Sequence, residues 1–290
     1  AKCNESGLNH YMGIAISAFI ATMLAWASTL LPAEWTSTPW HPLLACALFI
    51  VPGVPLINFV DDMLDNYIQV GIVRAVNTLL MVSAMAFGIA FAVKLCSIGD
   101  FFPTISMVPH HNYLEYAIAA AISAMGFSMI FNIQRRLLWV VAIGGIIAVC
   151  TRNFVNLGPS TNNIGLDMGL VIGSFSGSVL VSLIAIKAVH WFHVPNHVLT
   201  IPSVIPMIPG VLMYRMLFGL INMNVQSIDQ VTPLMNAIES GVNSGLVIMC
   251  IALGVAIPNI FGRKYIASSK NKRLAEILKE RKARGKFVEW

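Results

Sequence analysis

Two stretches of this chain read almost alike. Tyr11-Met-Gly-Ile-Ala-Ile-Ser-Ala-Phe19 and Asp167-Met-Gly-Leu-Val-Ile-Gly-Ser-Phe175 keep Met, Gly, Ile and Phe in the same places, 156 residues apart. Ile50-Val-Pro-Gly-Val54 meets Met207-Ile-Pro-Gly-Val211 at an offset of 157. Val76-Asn-Thr-Leu-Leu80 and Gly88-Ile-Ala90 meet Val242-Asn-Ser-Gly-Leu246 and Gly254-Val-Ala256 at an offset of 166. A steady offset that grows by nine within one loop describes a duplicated unit with one insertion. The repeated sequence is membrane-grade: 57% of residues are hydrophobic and 11% charged, where a soluble domain carries about 25% charged residues. A duplicated helical unit in a membrane most often builds a transporter with its site between the halves.

Eight apolar runs fit membrane spans: residues 11–31, 41–60, 67–95, 116–133, 137–151, 165–187, 197–222 and 236–261. Each is near the ~20 residues that cross a ~30 Å hydrocarbon core, although the fifth is short and the seventh interrupted. The repeat pairs spans one, two and three with six, seven and eight. Spans four and five then open the second unit, and their counterparts are expected before residue 1, giving a five-plus-five arrangement. Corresponding spans lie five apart, an odd number, so the sequence predicts an all-α polytopic membrane protein with an inverted-topology repeat. The expected division is 1–95 for the visible part of the first unit, 96–262 for the second and 263–290 for a basic tail.

Charge predicts the orientation. One side receives Lys2, Arg135, Arg136, Lys187 and the ten basic residues between Arg263 and Lys286; the other receives Lys94 and Arg152. By the positive-inside rule the first side, with both visible termini, is cytoplasmic. The net charge of +5 belongs to the tail, so it marks no nucleic-acid face. Leu274, Ile277 and Leu278 form one stripe of a basic amphipathic helix that suits anionic headgroups better than a partner subunit.

Interrupted helices are the strongest pointer to a site. Span two holds Val51-Pro-Gly-Val-Pro55 and span seven holds Ile201-Pro-Ser-Val-Ile-Pro-Met-Ile-Pro-Gly210. Proline removes an amide donor and glycine lets the chain leave helical geometry. In lipid the freed groups must be met by protein, water or solute, and matching breaks in both repeats point to a midplane site. Near the first break lie Asn58, Asp61, Asp62 and Asp65, followed by Gln69, Arg74 and Asn77; after the second come Tyr214, Arg215, Glu239 and Asn243. Ionisable groups within spans usually mark a pathway or a pair, and depth suggests the pairs Asp62–Arg74 and Arg215–Glu239. Asp61 and Asp65 fit a solvated turn equally well. Asn77 recurs as Asn243.

Pro52-Gly-Val-Pro-Leu-Ile-Asn58, Asp62 and Gly71-Ile-Val-Arg74 resemble the first membrane domain of the threonine/serine exporter family. Phe127-Ser-Met-Ile-Phe-Asn-Ile-Gln-Arg-Arg136 and the run from Val198 to Arg215 resemble its second domain. The resemblance covers nearly all of 11–262 and implies a five-plus-five helix secondary exporter of amino acids or small dicarboxylates, driven by the proton gradient across a bacterial inner membrane. It also implies two further helices and a cytoplasmic region ahead of the part matching residue 11.

Other motifs carry less. His190, His193 and His197 have helical metal-ligand spacing, but Pro195 interrupts them and no Cys or acid is near in sequence, so interfacial residues are the better reading. His110 and His111 in an external loop say little. Five cysteines without a motif read as packing residues. Asn153, Asn156 and Thr161-Asn-Asn163 read as a solvated external loop. Gly173-Ser-Phe-Ser-Gly177 and Ile98-Gly-Asp100 superficially match intramembrane proteases. The first lacks the Gly-x-Ser-Gly spacing and the second its leading glycine, so an enzyme is disfavoured. A passive channel remains the alternative, although paired ionisable groups on both sides of the midplane favour alternating access.

The expectation is therefore a proton-coupled exporter of a small polar metabolite, a threonine/serine-type amino acid or a dicarboxylate. Its partners are that solute, protons, lipids and either a second copy or another chain supplying helices; no metal or organic cofactor is expected. Pro52, Gly53, Asn58, Asn77, Pro209, Gly210 and Asn243 are the expected solute-binding residues, and Asp62, Arg74, Arg215 and Glu239 the expected coupling or gating residues.

Overall fold

The computed structural model describes residues 9–27, 53–96, 111–159, 164–192, 194–221 and 231–283. The sequence readings on Lys2, the first part of span two including Pro52, Asp100, His110, Thr161-Asn-Asn163, His193 and Lys286 lie outside the described residues. The order is α1 His10–Ala27, α2 Gly53–Leu64, α3 Ile68–Leu95, α4 Tyr113–Ile130, α5 Leu138–Asn156 after a 3-10 turn Arg135–Leu137, and α6 Gly169–Phe192. Then follow α7 Asn196–Val204, a 3-10 turn Ile205–Met207, α8 Gly210–Ile221 and α9 Val231–Ala283. The described residues form an all-helical protein.

Six of these helices are long and apolar enough to cross a membrane: α1, α3, α4, α5 with its leading turn, α6 and the first part of α9. Span seven of the sequence reading is divided here into α7 and α8, and at 1.5 Å per residue the 9-residue α7 reaches only about 14 Å. The described residues of span two lie in α2. Lipid explains what would otherwise be a poor surface: Leu24, Val73, Phe87 and Trp139 are all more than two-thirds exposed, an arrangement suited to acyl chains rather than water.

Small residues set the helix spacing, because lipid offers no hydrophobic drive for helices to associate and packing must supply the attraction. The Gly173-Ser-Phe-Ser-Gly177 segment is such a seam. A Cβ on Gly173 would lie 2.6 Å from the Arg152 carbonyl oxygen and one on Gly177 2.6 Å from that of Ala148, so these glycines seat α6 against the backbone of α5. Gly145 does the same for α4, where a Cβ would lie 3.0 Å from the Ala120 carbonyl oxygen. The Ser182 hydroxyl donates to the Val255 carbonyl at 3.0 Å and ties α6 to α9.

Burial follows the duplicated pattern. All eight buried residues of α3 (Gly71, Thr78, Met85, Ala86, Gly88, Ile89, Ala92 and Val93) have buried counterparts in α9 at an offset of 166, from Ala237 to Asn259. Thr22 and Ser178, 156 residues apart, bond back to Ala18 and Ser174 in the same way. Contacts repeat too: α1 and α2 both pack on α3, as α6 and α8 both pack on α9. In α9 the helix continues through Pro258 and Gly262 into the basic tail as far as Ala283, so the tail is an extension of the last span.

Gly177→Ala should therefore destabilise the protein by about 1–3 kcal/mol, since it drives a methyl into fixed backbone. Gly245→Ala, where a Cβ would meet nothing within 4 Å, should be neutral or stabilising by up to about 1 kcal/mol through helix propensity. Thermal unfolding of the two purified variants in one detergent checks the contrast.

Candidate functional site

The first repeat builds its polar cluster through a tight turn. Helix α2 ends with Asn66 in the left-handed region at φ 67°, and the Asn66 and Tyr67 amides donate back to the Met63 and Asp62 carbonyls at 3.1 and 2.9 Å. These paired bonds close the helix and send the chain straight into α3. Gly71 then lets α3 lie against α2, since a Cβ there would sit 2.9 Å from the Phe59 carbonyl oxygen. Three residues later Arg74 meets Asp62, Nη1 to Oδ2, at 2.6 Å. The contact is an ion pair lying outside hydrogen-bond alignment, with the Arg74 side chain about half exposed. One residue before Asp62, Asp61 approaches His197 at the start of α7 at 3.8 Å, linking the two halves.

The second break is resolved by the 3-10 turn. Pro202, Pro206 and Pro209 each lack an amide hydrogen, and the chain leaves helical geometry at Ile208 (φ −63°, ψ 128°) before α8 begins at Gly210. Gly53, the first residue of α2, sits against this turn: a Cβ there would meet the Ile205 side chain at 3.6 Å and crowd that of Ile208. Ile57 and Val60, one and two turns further along α2, are buried in one cluster with Ile201, Val204, Ile205 and Met207, and with Val247, Ile251 and Val255 of α9. Gly53 and the turn over residues 205–208, far apart in sequence, are thus neighbours. The start of α8, which follows that turn, carries the positive end of a helix dipole.

Arg152 requires a correction. Charge counting placed it beyond span five at the outer surface, but α5 continues through Asn153 to Asn156. Asn153 stays helical because it is packed inside the bundle, 2% exposed. From α5 the Arg152 Nη1 reaches the Met207 carbonyl at 3.5 Å, and Nε and Nη2 both donate to the Asn153 Oδ1 at 3.2 Å. Arg152 is the functional candidate that sequence reasoning passed over; its position beside two asparagines was the available signal.

The remaining expected residues are dispersed. Asn58 is half-buried on α2, one turn beyond Gly53. Asn77 is exposed on α3 and accepts a 2.7 Å hydrogen bond from the Tyr11 hydroxyl of α1, a partner not anticipated from sequence. Asn243, its counterpart, is also exposed, on α9. Arg215 and Glu239 are exposed on α8 and α9, beside the close approach of Met216 and Gly241. A buried amide pair, Asn196 Nδ2 to Asn259 Oδ1, joins α7 to α9.

Comparison with known families decides what this arrangement belongs to. The family model described as threonine/serine exporter, ThrE, matches residues 116–261, half of the chain, and one described as putative threonine/serine exporter matches residues 1–96. The chain belongs to the threonine/serine exporter family. It is a transporter of the class that exports small polar metabolites, not an enzyme, and its six apolar helices make it a multi-pass membrane protein. No solved structure matches it.

If Gly71 and the Asn66 turn hold the exporter's Asp62–Arg74 pair, the exchange Asp62→Arg with Arg74→Asp should recover most of the stability lost in either single variant. The coupling expected of a part-exposed pair is about 0.5–1 kcal/mol, read by a double-mutant cycle on thermal unfolding. Gly71→Leu should lose more than either, by separating α2 from α3.

Proposed function

We propose that this exporter moves a threonine- or serine-type amino acid, or a small dicarboxylate, outward across a bacterial inner membrane in exchange for protons. The observation that carries this reading is the meeting of Gly53 with Ile205 and Ile208, which sets α2 against the turn that leads into Pro209-Gly210. Broken backbone inside a membrane bundle is tolerated where it faces protein or a solute path. Half-helix amide ends at such a place favour an anionic group. Gly53, Pro209 and Gly210 supply the opened backbone, and Asn58, Asn77 and Asn243 supply polar groups along the path, with Pro52 completing the first break.

The matched burial of α3 and α9 supports two copies of one unit, and the odd spacing of equivalent spans supports their inversion. Exposed Trp139 and Trp191 lie near Arg135, Arg136 and Lys187 in sequence, which supports an interfacial belt on a cytoplasmic side that also carries the tail. Protonation of Asp62 and its pairing with Arg74 exclude one another. A pair that opens during the cycle therefore offers a proton site in the first unit, and Glu239 on α9 is the corresponding candidate in the second.

Counterflow in proteoliposomes tests the transport reading: labelled L-threonine should accumulate transiently against unlabelled L-threonine or L-serine on the opposite side. A passive channel gives equilibration without trans-stimulation. Asp62→Asn or Glu239→Gln should abolish accumulation driven by a pH gradient while exchange at equal pH largely survives. Intact pH-driven accumulation in both variants would leave these acids as structural partners and overturn their coupling role.

A further inference from the structure

We propose that Arg152, with the Asn153 amide beside it, receives a carboxylate of the transported solute. This rests on the exporter reading above and names the group that recognises the solute's charge. Arg152 lies near the end of α5, where Gly173 of α6 packs against its own carbonyl, so its backbone is fixed by helix contact. Its guanidinium has five N–H donors in a planar fork suited to carboxylate. Two of them share the single Asn153 Oδ1 oxygen at 3.2 Å, and a third reaches the Met207 carbonyl at a long 3.5 Å.

No carboxylate pairs with Arg152 among the described residues. A cation within a membrane bundle is ordinarily paired or strongly hydrogen-bonded, because desolvation is costly. Asn153 is the second observation. It is 2% exposed, its oxygen is taken by Arg152, and its Nδ2 has no hydrogen-bond partner.

A carboxylate entering here would take two parallel N–H bonds from the guanidinium and a third from Asn153 Nδ2. It would release the Met207 carbonyl, three residues before α8 begins. Solute binding and the conformation of the second break are thereby linked through one side chain. Amino acids and dicarboxylates share this chemistry, and their amides and alcohols do not.

The test is counterflow of labelled L-threonine by the full chain in proteoliposomes, competed by L-serine, succinate, threoninamide and threoninol. In the wild type the carboxylates should compete at least about tenfold better than the amide and the alcohol. Arg152→Gln should raise KM about 10- to 100-fold with a smaller change in maximal rate, and should erase the preference for acid over amide. Arg152→Lys keeps the charge without the fork, so its KM should rise while the preference persists; it decides the matter if the glutamine variant does not fold. Competition by succinate separates a general carboxylate site from one that also needs the amino group.

A wild type that accepts threoninamide as well as threonine overturns the proposal. So does an Arg152→Gln protein that keeps the wild-type preference, or an Arg152→Lys protein with unchanged KM. Absence of counterflow with every solute overturns the exporter reading itself.

Discussion

Hydrocarbon cannot hydrogen-bond, so each backbone amide and carbonyl within a membrane must find its partner inside the protein. Continuous helices meet this demand alone, and the Pro-Gly segments do not. The rest of the structure is arranged around that deficit. Gly53 of α2 packs against Ile205 and Ile208, and Ile205 and Met207 are buried, which keeps the turn between α7 and α8 away from lipid. Arg152 reaches from α5 toward the Met207 carbonyl that the second interruption frees. The turn between α7 and α8 is thus enclosed by α2 on one side and by Arg152 of α5 on the other.

Close helix packing makes that enclosure possible. Gly145, Gly173 and Gly177 bring α4 and α6 onto α5, and Ser203 of α7 donates to the Val141 carbonyl of α5 at 3.2 Å. A backbone-to-backbone seam resists gradual deformation, because a small separation forfeits many short contacts at once.

Much of this was legible in the residues. Proline and glycine have fixed backbone consequences, so the departure from helix before Gly210 could be read directly, whereas Pro52 lies outside the described residues. Asp62 and Arg74 could be matched by depth because Gly71 and a two-residue turn leave little freedom between them. Arg152 was misplaced because a run of Arg, Asn and Asn looks like a loop, and only the packing around Asn153 shows that the helix goes on. The Tyr11–Asn77 bond joins helices whose contact no local pattern announces. The apolar run ends at residue 261, yet α9 continues to Ala283; it passes through Pro258 as well, since proline is tolerated in a membrane helix when neighbours satisfy the freed carbonyl.

The close approach of Gly53 on α2 to the turn before α8 is measured most directly by a cysteine pair. Ile208 meets Gly53 through its side-chain tip rather than its Cβ, whereas a direct disulfide requires Cβ atoms about 3.5–4.5 Å apart. Gly53→Cys with Ile208→Cys, in a background with the five native cysteines replaced, should therefore be joined rapidly in native membranes by a short bifunctional thiol reagent. Saturating L-threonine or succinate should change the rate if the solute enters between the breaks. A pair that fails to cross-link, while a control pair across the α5–α6 seam does, would contradict the account.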